Sequence, residues 1–219
     1  MGIITKGLFR PESVVAADLI RTFVSIEIPT AVRAELDTVV APLRRAERLR
    51  WTQPAGWHLT LKFLGEIPRE DVETAGAVCT RVASSLLPFD GALGGWGVFP
   101  SPHRPRVLWV GMQQGAEGTV AVAKAAENAL AEAGFPGEGK PFHPHLTLAR
   151  IEDPVAGARA FTALQECPFA SAAFRVDRIV VFQSILDRGG ARYHPLAVCP
   201  FSGVLTQGAP NGGHTSGDA

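Results

Sequence analysis

The chain has 219 residues, with 21 Lys+Arg against 21 Asp+Glu and 46% hydrophobic residues. That is the composition of a soluble globular protein, long enough for one large domain or two small lobes on a shared core. Zero net charge argues against a protein that coats long nucleic acid, but leaves room for a local cluster that holds one phosphorylated end. No apolar run reaches the about 18 residues expected of a membrane span, and the first twenty residues lack a signal-peptide core. Cys79, Cys167 and Cys199 are widely spaced and form no C-x-x-C pair. Buried or inert thiols in a reducing, cytoplasmic setting are expected.

Residues 1–20 carry no clean periodicity and read as an N-terminal extension. The alternation in Arg21–Ile28 predicts a strand. Thr30 is a candidate N-cap for a helix whose apolar positions are Val32, Leu36, Val39, Val40 and Leu43. Arg44, Arg45, Arg48 and Arg50 gather at its end, either as cations complementing the helix dipole or as part of a phosphate-attracting rim. Trp51–Thr52 is a short strand, and Pro54-Ala55-Gly56 a turn. The strand His58–Gly65 follows, then a helix from about Pro68 to Leu87 with acidic residues in its first turn. Phe89–Phe99 is a glycine-rich strand with a bulge expected near Gly94-Gly95. Arg106–Met112 is almost continuously apolar, which suits a central strand covered on both faces.

An alanine-rich helix spans Glu117–Gly134, closed by Gly134. A loop then leads to the strand His145–Arg150, and Asp153–Gln165 carries a short helix. Phe174–Leu186 is predicted as one long strand, turning through Asp187-Arg188-Gly189-Gly190 into a closing strand Ala191–Phe201. Residues 203–219 are rich in Gly, Pro, Ser and Thr and read as a disordered tail. The mixed order predicts an α+β protein with helices outside antiparallel sheets.

His58-Leu59-Thr60-Leu61 returns as His145-Leu146-Thr147-Leu148. On a strand, residues two apart share a face, so each copy sets a histidine and a threonine against two leucines. Two such strands side by side present two imidazoles and two hydroxyls to one cleft. An imidazole titrates near 6.5, so one can take a proton from water while the other gives one to a leaving oxygen. A hydroxyl at +2 can donate to a phosphoryl oxygen as charge builds there. A metal reading finds His143 near His145 but no Asp, Glu or Cys at ligand spacing. A serine hydrolase reading lacks a G-x-S-x-G elbow.

These two signatures resemble those of the 2H phosphoesterase superfamily. Gly56-Trp57-His58 through Gly65, Gly97–Pro102, Arg104–Gly111, Pro141–Arg150 and Gly190-Ala191-Arg192-Tyr193 are similar to the bacterial and archaeal RNA 2′,3′-cyclic phosphodiesterases, also called 2′-5′ RNA ligases, over about residues 21–201. The resemblance implies one bilobal α+β domain, two antiparallel-sheet lobes with outer helices around a central cleft. It implies hydrolysis of RNA 2′,3′-cyclic phosphate ends to 2′-phosphomonoesters by a monomer, without metal or cofactor, with weak 2′-5′ joining as the reverse of a transesterification at the same site. Carried over by position, His58 is the proton donor, His145 the acceptor, and Thr60, Thr147 and Arg150 the phosphate-binding residues. Strand parity puts Arg150 opposite His145, so its role needs a twist, bulge or strand end; a salt bridge is the alternative. His143 reads as a loop histidine, and Phe63 and Trp57 as packing residues. The rival functions are action on 2′-5′-linked oligonucleotides or small cyclic nucleotide phosphates, and a non-catalytic nucleotide-binding module.

Overall fold

The protein is described by a computed structural model over residues 18–187 and 190–204. Most of the proposed extension and tail, and Arg188 and Gly189 of the predicted turn, lie outside the described residues. Two antiparallel sheets carry the fold. The first is ordered β3-β1-β8-β9, from strands Leu19–Glu27 (β1), His58–Pro68 (β3), Arg178–Asp187 (β8) and Gly190–Pro200 (β9). The second is ordered β2-β6-β5-β4-β7, from Arg50–Trp51 (β2), Phe89–Phe99 (β4), Val107–Gln114 (β5), His145–Arg150 (β6) and Phe174–Val176 (β7). Helices Thr30–Ala46 (α1), Asp71–Ala83 (α2), Ala116–Glu132 (α3) and Pro154–Gln165 (α4) cover them.

The leucines of both motifs enter one continuous core. Leu59, Leu146 and Leu148 are fully buried, beside Leu36, Leu108, Leu130 and Val181. Truncating such a leucine to alanine costs about 2–5 kcal/mol. Their burial fixes which face of each strand is left for the histidines, because a one-residue slip would invert both.

Several sequence expectations change. The run Phe174–Leu186 is two strands, not one. β7 pairs with β4 in the second sheet, whereas β8 pairs with β1 and β9 in the first. The chain changes sheets at Asp177 with no glycine or proline to mark it, so hydropathy alone reads straight through. Thr30 is the first residue of α1 rather than its cap; Pro29 precedes it, no side chain caps the helix, and the Thr30 hydroxyl accepts from Arg33 Nη2 at 2.9 Å. β5 is central, but Val107, Trp109 and Met112 are half-buried while Leu108 and Val110 are buried, so one of its faces is covered less fully than its apolar run predicts. The bulge in β4 falls between Leu93 and Trp96, with Gly95 at φ +76°. Gly134 closes the turn after α3 at φ +94°, where Phe135 N–H donates to Leu130 O at 3.0 Å.

A buried ion pair fastens the two sequence halves. Lys62, on β3, is fully buried and donates to Glu127 Oε2 on α3 at 2.6 Å and to the Pro136 carbonyl at 2.7 Å. Glu127 Oε1 accepts from Glu138 N–H, and Glu138 Oε1 accepts from Phe63 N–H. The loop that leads into the second motif is thus tied to the strand of the first.

Candidate active site

Each histidine is set by the residue two places before it. The 3₁₀ turn Pro54–Gly56 presents the Gly56 carbonyl, to which His58 Nδ1–H donates at 2.7 Å. The loop before β6 presents the His143 carbonyl, to which His145 Nδ1–H donates at 2.7 Å. A carbonyl can only accept, so Nδ1 carries the proton in both rings and Nε2 is the reactive nitrogen in both. His58 Nε2 lies 2.9 Å from Thr60 Oγ1. His145 Nε2 has no protein partner among the described residues.

Aromatic rings wall both imidazoles. Phe23 stacks on His58 with centroids 4.7 Å apart, and Tyr193 meets it edge-on at 5.0 Å. Phe99 meets His145 edge-on at 5.0 Å, and Trp109 at 6.1 Å. Two glycines make room for the walls. A Cβ on Gly56 would sit 2.8 Å from the Tyr193 ring, and one on Gly97 would sit 2.1 Å from the Trp109 ring. The apolar surroundings lower the basicity of both histidines. For His58 burial is the main cause, opposed by the Gly56 carbonyl and reinforced by the charge of His145. For His145 burial again leads, opposed by the His143 carbonyl and reinforced by the charge of His143. The two titrate as a pair, since a proton on one disfavours a proton on the other.

The first motif opens on a cleft of about 790 Å³ bounded by Phe23, His58, Thr60, Phe63, Thr147 and Arg150, among others. His145 is tied to it by its charge on His58 and by sharing the face of Thr147 rather than by forming its wall. Arg150 reaches the cleft through a bulge. Leu108 pairs with Ala149 and Trp109 with Thr147, so Leu148 is skipped. Two consecutive residues, Leu148 and Ala149, are then buried and Arg150 returns to the histidine face. Among the described residues it has no carboxylate partner. β3 has the same bulge: Val24 pairs with Lys62 and Ser25 with Thr60, skipping Leu61. This delivers Phe63 to the equivalent place, on the cleft wall and 53% exposed. Phe63 is therefore not the packing residue that its sequence predicts. Trp57 is one, at 2% exposed, with its indole N–H donating to Thr52 Oγ1.

His143 is an exposed loop residue that meets the Trp109 and Phe99 rings. The basic cluster divides: Arg44 bonds Asp37 on its own helix, whereas Arg50 lines the cleft. Cys79 and Cys199 are buried, and burial pushes the Cys79 thiol up to about 12. Cys167 is exposed and free, in the turn after α4. No group of three or more His, Cys, Asp or Glu among the described residues is arranged to hold a metal ion, and no described helix is long and apolar enough to cross a membrane.

The duplicated half-site corresponds to a known family. The model of the LigT like Phosphoesterase family matches twice, over residues 26–109 and 110–193, one His-Leu-Thr-Leu strand in each. The chain belongs to this family. An RNA 2′,3′-cyclic phosphodiesterase of Aeropyrum pernix is 36% identical over 154 residues, 68% of this chain and 84% of its own. One from Thermotoga maritima is 29% identical over 187 residues, 84% of this chain and 97% of its own. The crystal structure of Escherichia coli LigT complexed with 3′-AMP superposes with a TM-score of 0.68 at 26% identity, over 84% of this chain and 99% of that one.

Proposed function

We propose that this LigT-like protein hydrolyses RNA 2′,3′-cyclic phosphate ends to 2′-phosphomonoesters. The observation that carries this reading is the pair of imidazoles, each held through Nδ1 with Nε2 left for chemistry, each two residues from a threonine on the same face. Water attacks phosphorus as His145 Nε2 takes its proton. The bond from phosphorus to O3′ breaks, and His58 Nε2–H protonates that oxygen, leaving a 2′-phosphate and a 3′-hydroxyl. The Nε2 of His145, unlike that of His58, has no hydrogen-bond partner among the described residues, which favours His145 as the acceptor. A protonated His58 donates to Thr60 Oγ1, which turns the threonine hydrogen toward a phosphoryl oxygen. Thr147 and Arg150 complete the cradle for the non-bridging oxygens. The anionic substrate raises the histidine pKa values that burial has lowered, so one proton is retained where it is needed.

The protein's own residues supply acid, base and charge, and no metal takes part. The working unit is the bilobal domain of residues 21–201; one chain provides both motifs, so a monomer suffices, in the cytoplasm. Joining of a 2′,3′-cyclic end to a 5′-hydroxyl is the reverse of cleavage at the same site and gives weak 2′-5′ ligation. The exposed Phe63 opposite Arg150 offers a face on which the terminal base stacks.

His58→Ala and His145→Ala should each lower kcat on adenosine 2′,3′-cyclic phosphate by about 10²–10⁴-fold, with the wild-type rate kept in excess chelator. Unchanged turnover in both variants would overturn the reading, as would a loss in chelator that zinc restores.

A further inference from the structure

We infer that Arg50, standing beside Arg150, forms a second anionic subsite that takes the phosphate on the 5′ side of the nucleotide being hydrolysed. This rests on the function proposed above and deepens it. Arg50 and Arg150 are direct register partners across β2 and β6. Residues so placed share a face with Cβ atoms about 4.5–5.5 Å apart, where like charges repel and destabilise the pairing. Both arginines line the cleft. A sheet that sets two cations opposite each other on the wall of a cavity is arranged for an anion rather than for its own stability.

The charge count points the same way. The whole chain balances 21 basic against 21 acidic residues. The cleft wall does not: Arg21, Arg50 and Arg150 stand there against Asp187, and Asp187 is paired with Arg192 outside that set. Arg21, Arg150 and Tyr193 all line this cleft. Arg50 has a carboxylate neighbour in Glu152 at 3.2 Å, but the two side chains are 71% and 73% exposed, so the pair is solvated and weak and gives way to a phosphate. One cyclic phosphodiester brings a single negative charge, which Arg150 matches. Arg21 and Arg50 exceed what it requires.

Position separates the two roles. From Thr147 to Arg150 is three steps along β6, about 10 Å at ~3.3 Å per residue and less across the bulge, and β2 lies a further ~4.8 Å to the side. Arg50 is therefore set to one side of the group cradled by Thr60, Thr147 and Arg150, on the flank where the next phosphate along a nucleotide chain lies. The group recognised is a 5′-phosphoryl, whether the monoester of a 5′-phosphorylated nucleotide or the diester that continues an RNA strand.

The test compares three substrates on the full chain: adenosine 2′,3′-cyclic phosphate, its 5′-phosphorylated form, and a dinucleotide ending in the same cyclic phosphate. Hydrolysis of the first by wild type tests the function itself, independently of this inference. We expect kcat/KM to be higher for both 5′-phosphoryl substrates, and the ratio to the bare nucleoside substrate to fall on the order of tenfold in Arg50→Gln, through KM. A rise for the dinucleotide alone assigns the subsite to the diester of a strand. The control Arg81→Gln, on α2 away from the cleft, should leave the ratio as it is. Arg50 is exposed and pairs through its backbone, so the variant should fold; its circular dichroism and melting temperature check this. A falling dependence of kcat/KM on salt in Arg50→Gln, for 5′-phosphoryl substrates, accompanies the same loss. Equal kcat/KM for all three substrates in wild type, or a ratio unchanged in Arg50→Gln, would overturn the inference while leaving the hydrolysis reading intact.

Discussion

The first motif strand and the second are built alike and end differently. β3 and β6 each carry a histidine whose Nδ1 is bound to the carbonyl two residues back, a threonine at +2, and a bulge just beyond it. The bulge of β3 delivers Phe63, that of β6 delivers Arg150. β3 is an edge strand, while β6 has β2 beside it with Arg50. Duplication thus supplies two like His-x-Thr half-sites, and two side chains at one equivalent position break the symmetry of the cleft. At that position one strand presents an aromatic ring and the other a guanidinium, which suits a nucleotide, with its base and its phosphate. A symmetric diester needs no such division; a nucleoside cyclic phosphate does.

The comparison can be broken at those positions. Arg150→Gln should lower kcat by about 10²-fold, as removal of one preorganised donor does. Phe63→Ala should instead raise KM, by about 5- to 150-fold, with kcat kept, since stacking of a base on an aromatic ring contributes about 1–3 kcal/mol. Steady-state kinetics on a cyclic nucleotide phosphate separate the two; equal effects on kcat in both would remove the division of labour. The glycines that admit the walls give a smaller contrast, read as stability. Gly97→Ala drives a Cβ to 2.1 Å from the Trp109 ring, a clash that only displacement of the indole from His143 and His145 relieves. It should destabilise by about 1–3 kcal/mol. Gly56→Ala, with its contact at 2.8 Å to the edge of Tyr193, should cost less; denaturant unfolding of the two variants ranks them.

The smallest effect is on stability against pH. Both histidines are less basic folded than unfolded, from burial first. The unfolded chain therefore binds protons first as pH falls, and the stability held above the ordinary imidazole range near 6.5 is lost as pH drops toward the folded values. His58→Ala should flatten the decline in unfolding free energy between about pH 7 and 5. A decline as steep as wild type would mean that His58 is not the group responsible.

The strands and helices were legible where periodicity was strong. Val32, Leu36 and Val40 face the core from α1 as their spacing requires, and Gly94-Gly95 marked its bulge. The break at Asp177 was not legible, because an apolar run reads as one strand whichever sheet each half joins. Nor was the exposure of Phe63. Strand parity places both Phe63 and Arg150 on the core side, and no residue at Leu61 or Leu148 announces the bulge that reverses it. The bulges arise from pairing with β1 and β5, which is a property of the neighbours.

The sequence by itself determined the candidate groups and the family: two histidines with threonine at +2, in leucine-backed strands that burial holds in one register. Tertiary structure decided what surrounds them. Phe23, Tyr193, Phe99 and Trp109 come from other strands to dry the imidazoles and lower their basicity, and pairing with neighbouring strands turned one residue of each motif toward the cleft and brought Arg50 beside Arg150. A side chain's type is written locally, but its face depends on hydrogen bonds made to strands distant in sequence.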